Sequence, residues 1–394
     1  MSRLKVVFAI GGMHGGGSER QLVQLLQHLD RSAFQPFLYL AQRVGPLLDQ
    51  IPADVPVHVS DERIRQPAFY LPGRIHGLRV ADYAALLRQL EADVSYDRTF
   101  LMTLITAAGA QQAGVPNVST VVTNPETGFR PVAGRFQWFK RRLLHRLYNR
   151  STRVLAVSDG VREAAIRFYG IEPEKIRTQY NGIDVDQICR AAACPVSNTW
   201  WTAGPRVPGR RLLRVVAAGR LNHEKGFHLL VDAAAQFSIR RPDCELRVAL
   251  LGEGSHRAQL QAQIDAAGLR DQVCMPGFQQ QVAAWISAAD VYVLPSLVEG
   301  MPNVLLESLV CGTPVIAADC QSGPSEVLEQ GRLGLLVPVG DAAAITGSLE
   351  QILDAPQQAA DRAAAGRAAI EQHWTIQGAT RRLESILREA AGSR

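Results

Sequence analysis

The chain has 394 residues, 47% of them hydrophobic and 20% charged, with a formal net charge of +5. That length exceeds the usual span of one hydrophobic core, so two domains are expected, in a chain with the composition of an ordinary soluble globular protein. No apolar run approaches the roughly 20 residues needed to cross a bilayer. LKVVFAI (4–10) is too short for a signal peptide and leads straight into a glycine loop. Six cysteines, at 189, 194, 244, 274, 311 and 320, form no CxxC or metal-spaced set, which fits a reducing cytoplasm. The charge is uneven: residues 1–185 carry 23 Lys and Arg against 16 Asp and Glu, and the remainder 19 against 21. The basic excess of the N-terminal half reads as a surface for an acidic partner.

LKVVFAI is a buried strand. GGMHGGGSER (11–20) follows, then a helix with Leu22, Leu25, Leu26 and Leu29 on one face. Strand, glycine turn and helix start form an anion-binding device, because small residues let backbone N–H groups approach a diphosphate. Neither a GxGxxG fingerprint nor a Walker GK[ST] is present. FQPFLYL (34–40) is a second strand, 81–91 a helix, ADVSYD a third strand, TLITAAGAQQAG a helix and VPNVSTVV a fourth strand. Such alternation predicts a doubly wound parallel sheet.

Segment 135–150, RFQWFKRRLLHRLYNR, has six Arg and Lys and no acid. Phe136, Phe139, Leu143, Leu144 and Leu147 fall at helical spacing, which predicts either a basic amphipathic helix on an anionic membrane or a helix packed on its own sheet. No nucleic-acid recognition motif accompanies the charge. RVLAVSDG (153–160) is a strand leading to a helix at 161–168, and IEPEKIRTQYNGID (171–184) a short strand and turn. DVD (184–186) has the Asp-x-Asp spacing of a metal site, but no other acid lies close by, and no metal is predicted. Residues 187–211 lack clear periodicity, and a linker over 184–211 is read between domains spanning 1–183 and 212–375, with 376–394 a terminal helix.

The alternation then begins again, and its centre is VYVLPSLVEGMPNVLLESLVCGTPVIAAD (291–319). VYVLP reads as a strand, SLVEGMP as the loop at its carboxyl end, and NVLLESLVCG as a helix with Pro302 early in it and Gly312 as its stop. Ligands of open α/β sheets bind beyond such strand ends, so Glu299 and Glu307, eight apart, are candidate hydroxyl-binding acids for a sugar and a ribose.

From GRLNHEKG (219–226) onward the pattern resembles a known family. Together with Glu299 and Glu307, GPSEVL (323–328), GLLVP (334–338) and YNGID (180–184), it resembles retaining glycosyltransferases of family 4 with the GT-B fold. The resemblance implies two facing Rossmann-like doubly wound parallel-sheet domains with an interdomain cleft, and a last helix that returns to the first domain. It also implies that Arg220 and Lys225 hold the donor diphosphate, that Glu299 touches the donor sugar, and that Glu307 binds the ribose. Gly300, Met301, Pro302 and Asn303 would form the loop meeting sugar and phosphate. Gly252, Glu253, Gly254, Pro276, Gly277 and Phe278 would line the nucleotide pocket, and Gly15, Gly16 and Gly17 would approach the phosphate from the N-terminal domain. Many members carry a His after the strand corresponding to VPNVSTVV; here the stretch reads TNPETGF (123–129). Thr123, Asn124 and Glu126, or His14 in the glycine loop, are the candidates for the acceptor side.

The expected activity is transfer of a hexosyl or N-acetylhexosaminyl group from a nucleotide-sugar, with UDP favoured, to a saccharide or lipid-linked acceptor in cell-surface polysaccharide or glycolipid synthesis. No cofactor, metal or nucleic acid is expected, and the place of action would be the cytoplasm, at the inner face of the membrane. A GT-B epimerase or hydrolase, and an inactive sugar-nucleotide-binding partner, remain as alternatives.

Overall fold

The structure, a computed structural model, describes residues 3–64 and 73–393. The chain forms two units, Met1–Gly182 with Ile376–Arg394, and Ile183–Thr375. Within the described residues of the first, the elements are β1 (Leu4–Ile10), α1 (Gly17–His28), β2 (Phe34–Leu40), β3 (Val57–Val59), α2 (Ser60–Arg63), α3 (Arg74–Leu90), β4 (Val94–Arg98), α4 (Phe100–Ala113) and β5 (Asn117–Val121). They continue as α5 (Pro125–Ala133), α6 (Gln137–Arg150), β6 (Arg153–Ala156), α7 (Asp159–Tyr169) and β7 (Ile176–Thr178). The second unit holds α8 (Val185–Ala192), α9 (Thr199–Thr202), β8 (Arg211–Ala218), α10 (Phe227–Arg240), β9 (Cys244–Leu251), α11 (Arg257–Ala266), β10 (Val273–Gly277) and α12 (Val282–Ser287). After these come β11 (Val291–Leu294), α13 (Asn303–Val310), β12 (Val315–Ala318), α14 (Pro324–Val327), β13 (Leu335–Val337), α15 (Ala342–Asp354) and α16 (Pro356–His373). The last helix, α17 (Ile376–Ala391), belongs to the first unit.

Both sheets are parallel, in the orders β3-β2-β1-β4-β5-β6-β7 and β10-β9-β8-β11-β12-β13. Each order reverses direction beside its first strand, so the switch points lie between β1 and β4 and between β8 and β11. Strand β1 shows why its run is continuously apolar: Val6, Phe8 and Ile10 join one core and Val7 and Ala9 another. Side chains alternate across a strand, so a sheet covered on both faces needs apolar residues at every position. The first of those cores is completed by Ile376, Leu383, Ile386 and Leu387 of α17. Two polar contacts fix the register of that helix: Glu384 accepts from the Asp30 N–H at 2.8 Å, and Gln179 donates to the Ala379 carbonyl at 2.9 Å.

Several elements differ from expectation. Helix α3 begins at Arg74 rather than 81, and the short strand β3 precedes it. Within the expected linker 184–211, residues 185–192 form α8, and Asp184 caps it by accepting from the Gln187 N–H at 2.8 Å. That cap accounts for the first acid of DVD. Pro302 is the cap of α13 rather than a residue inside it. In α6, Phe136 sits before the helix in the left-handed region (φ 63°), and the buried face is Leu144, Leu147 and Tyr148. Phe136 and Phe139 are both 60% exposed, so the apolar stripe expected over 136–147 does not run as one face.

Candidate functional site

In the second unit, five loops leave the carboxyl ends of β8, β9, β10, β11 and β12 and are locked together largely through main chain. Gly252 (φ 137°) lies so close to the β8 loop that a Cβ there would stand 2.0 Å from the Gly219 carbonyl oxygen. A Cβ on Gly254 would stand 2.3 Å from that of Leu221. The Leu221 N–H donates to the Glu253 carbonyl at 2.9 Å, and the Gly252 N–H to Gly277 at 2.9 Å. Gly226 (φ 66°) opens α10, and its missing side chain would meet the Pro295 carbonyl at 1.9 Å. The Leu297 N–H donates to the Glu224 carbonyl at 2.8 Å. This pins the 219–226 loop to the loop after β11, across the switch point.

The outcome is a contact between two residues 74 apart in sequence. Lys225 Nζ donates to Glu299 Oε1 at 2.5 Å. Glu299 is only 9% exposed. Its Oε1 also accepts from Ser296 Oγ at 2.7 Å, and its carbonyl accepts from Ser322 Oγ at 2.7 Å. An ammonium has three donors, so Lys225 keeps donors for another acceptor beside Glu299. Arg220, on the same loop, is exposed and has no side-chain hydrogen bond or ion pair among the described residues. One cation is thus anchored and a second stands at the surface close by in sequence, an arrangement suited to a phosphate chain.

Glu307 is half-buried on the second turn of α13. The fully buried Tyr292 hydroxyl is pushed well above its ordinary range, by burial first and then by Glu299 and Glu307. Both carboxylates therefore act on one phenol. The Cys320 thiol, which donates to the Ser296 carbonyl at 3.0 Å, is pushed up to about 12, chiefly by burial. Gly300 and Pro302 are held by Gly323 (φ 95°), where a Cβ would come within 2.7 Å of Pro302 Cδ and 2.9 Å of the Gly300 carbonyl oxygen. Met301 is buried, and α13 opens at Asn303 without a side-chain cap. Along the rim, Glu253 pairs with Arg257 at 3.1 Å, Gly277 packs on the Glu253 carboxylate, Pro276 is half-buried and Phe278 is 61% exposed. Ser296, Ser322 and Tyr292 were not singled out by sequence. A serine three residues before Glu299 is the one signal that points to any of them.

In the first unit the glycine loop is seated on the segment after β2. The Met13 N–H donates to the Val44 carbonyl at 2.8 Å, and Gly45 (φ 110°) leaves no room for a Cβ against the Met13 carbonyl. Gly15 has φ 88°, Gly16 is the N-cap of α1 and Gly17 its first residue, and the Glu19 carboxylate lies beside this helix start, where a Cβ on Gly16 would stand 2.6 Å from it. His14 is exposed. Arg98 closes β4 almost fully buried, donating to Ser18 at 3.2 Å, to Tyr96 at 3.2 Å and to Asn181 of YNGID at 3.1 Å. Of the acceptor-side candidates, Thr123 is exposed. Asn124 is buried and caps α5 by accepting from the Glu126 N–H at 3.0 Å. Glu126 pairs with Arg167 at 3.1 Å. Asn124 and Glu126 thus have work within the fold. Among the described residues no group of three or more His, Cys, Asp or Glu is arranged to hold a metal ion.

Residues 211–371 match the family described as Glycosyl transferases group 1, and residues 15–187 match Glycosyltransferase Family 4. The chain is 31% identical to the D-inositol 3-phosphate glycosyltransferase of Pseudarthrobacter chlorophenolicus, over 77% of this chain and 73% of that one. It is 27% identical to the putative colanic acid biosynthesis glycosyltransferase WcaL of Salmonella typhimurium, over 72% and 67%. Among solved structures, Anabaena Alr3699/HepE in complex with UDP-glucose superposes with a TM-score of 0.79 at 23% identity, covering 98% of this chain and 100% of that one. That likeness fixes the fold.

Proposed function

Because this chain belongs to the group 1, family 4 glycosyltransferases and has their GT-B fold, we propose that it is a retaining enzyme that moves a sugar from a UDP-sugar to a saccharide or lipid-linked acceptor. The observation that carries the reading is the contact of Lys225 with Glu299 at the switch point of the second sheet. Breaking a sugar–diphosphate bond develops charge on the departing diphosphate, and preorganised cations lower that barrier. In this reading Lys225 and Arg220 meet the diphosphate. Glu299, held by Ser296 and Ser322, orients a donor-sugar hydroxyl, and Glu307 takes the ribose. The acids hold hydroxyls and do not act as the acid and nucleophile of a hydrolase. The departing phosphate helps to deprotonate the acceptor, and the sugar leaves and arrives on the same face.

The UDP reading is supported by the UDP-glucose complex of the similar Anabaena protein. Relatives named for colanic acid synthesis and for lipopolysaccharide core synthesis favour a cell-surface polysaccharide or glycolipid product. The basic first half of the chain favours action at the inner face of the membrane. Among the described residues no helix is long and apolar enough to cross a membrane. The test is incubation of the purified chain with UDP-, GDP- and ADP-sugars and candidate acceptors. Nucleoside diphosphate release would be followed, and the anomeric configuration of the product read by NMR. Release from UDP-sugars with retained configuration is expected. Inverted product, or preference for another nucleotide, would overturn the corresponding part. No release with any donor would leave an inactive sugar-nucleotide-binding partner as the better reading.

A further inference from the structure

We propose that the corner joining α5 to α6 is a membrane-docking surface that inserts exposed aromatic residues into an anionic lipid interface. This deepens the membrane-side reading above and rests on it. Within one stretch of eight residues, Val132 is 55% exposed, Phe136 60%, Trp138 72% and Phe139 60%. These residues are not the helix's packing face, which is Leu144, Leu147 and Tyr148 further along. Phe136 holds a left-handed backbone (φ 63°), a conformation that costs a bulky residue energy and here brings no burial in return. Gly134 (φ 59°, ψ −139°) turns the chain just before it.

Charge selects the occupant. Residues 125–150 contain seven Arg and Lys and a single acid, Glu126, which is paired with Arg167. Two of the cations serve the fold. Lys140 donates to the Ala133 carbonyl at 2.6 Å, and Arg141 donates to Phe168 at 2.7 Å while lying over its ring. Both contacts brace the corner. Arg130, Arg135, Arg142 and Arg146 have no side-chain hydrogen bond or ion pair among the described residues. Arg135 lies 5.9 Å from the centre of the Phe136 ring and Arg142 5.7 Å from that of Trp138. Amphipathic rings with guanidinium groups beside them match a layer of apolar tails under anionic headgroups. The helix therefore docks by its first turn and the preceding corner, not along its length.

The test uses the full chain with vesicles of phosphatidylcholine alone and with added phosphatidylglycerol, read by co-sedimentation and by tryptophan emission. Binding should need phosphatidylglycerol, weaken with salt, and shift the emission to the blue. Arg135→Glu/Arg142→Glu and Trp138→Ser/Phe139→Ser should each lower binding at least about tenfold. Both variants should keep the wild-type melting temperature and UDP-sugar binding, since none of these residues is in the donor site. Binding that ignores phosphatidylglycerol, or variants that bind as the wild type does, would overturn the proposal. So would a chain that misses vesicles yet self-associates through this corner, dissociating in the variants. Failure to transfer sugar to a soluble acceptor, with vesicle binding intact, would instead count against the enzymatic reading.

Discussion

Replacing Gly226 with alanine should damage the second unit more than any ordinary glycine substitution, for two separable reasons. Gly226 has φ 66°, where an L side chain costs about 1–2 kcal/mol. An added Cβ would also stand 1.9 Å from the Pro295 carbonyl oxygen, so backbone must move. Forced overpacking of that kind costs about 1–3 kcal/mol. Two other glycines isolate the terms: Gly268 has φ 67° with nothing within 4 Å, whereas Gly254 lacks a positive φ but would meet the Leu221 carbonyl at 2.3 Å. Gly268→Ala should therefore cost about 1–2 kcal/mol, Gly254→Ala about 1–3, and Gly226→Ala about the sum. Urea unfolding followed by tryptophan emission suits the measurement, because Trp200, Trp201, Trp285 and Trp374 all lie in the second unit. Gly226→Ala should also weaken UDP-sugar binding, since the shift moves Lys225 away from Glu299, while Gly268→Ala should not. Equal costs for Gly226→Ala and Gly268→Ala would refute the steric half of the reasoning.

Lys225→Ala should lower turnover on the order of 10²-fold or more with the fold intact by circular dichroism, as expected for loss of a preorganised transition-state contact; near-normal turnover rejects the diphosphate role. Ser296→Ala removes one of two donors to a buried carboxylate oxygen and should cost about 1–3 kcal/mol in urea titrations, raising KM for the donor. An unchanged KM would show that Glu299 does not depend on that serine. His228 has its pKa lowered, by burial first and then by His223, whose ring stacks on it at 5.1 Å. The unfolded chain then binds the proton more readily, so this group's contribution to stability is present above the ordinary histidine range and is lost as pH falls through it. His228→Gln should flatten that part of the stability-versus-pH curve; an identical slope in the variant would remove His228 as its source.

The parallel architecture was legible because its strands are buried on both faces. Val6 to Ile10 and Val291 to Leu294 are apolar without interruption, and each ends at a turn. The crowding of the loops after β8, β9 and β11 was legible because close backbone approach, as at Gly226 and Gly252, leaves room for glycine alone. Where one residue carries an element, the pattern fails: α8 has Ile188 as its one buried side chain, and β3 is three residues long. Helix α6 misled for another reason. Its spacing offered one stripe from Phe136 to Leu147, but the left-handed Phe136 starts the helix late and leaves the aromatics outside the packed face. The supports of Glu299 were hidden because a serine in a loop looks the same whether or not its hydroxyl is aimed at a carboxylate. On the acceptor side, Asn124 and Glu126 proved to be engaged in a helix cap and an ion pair, work that sequence does not distinguish from binding.

The first unit is interrupted: its chain leaves after residue 182 and resumes at 376 with a helix that completes its core. During synthesis the ribosome must therefore make the whole second unit before Ile376, Leu383 and Leu387 exist to cover Val6, Phe8 and the face of α1. The half made first is finished last. A nascent chain stalled or cut anywhere in between would hold a complete seven-stranded sheet with an uncovered apolar stripe, a substrate for chaperones and proteases.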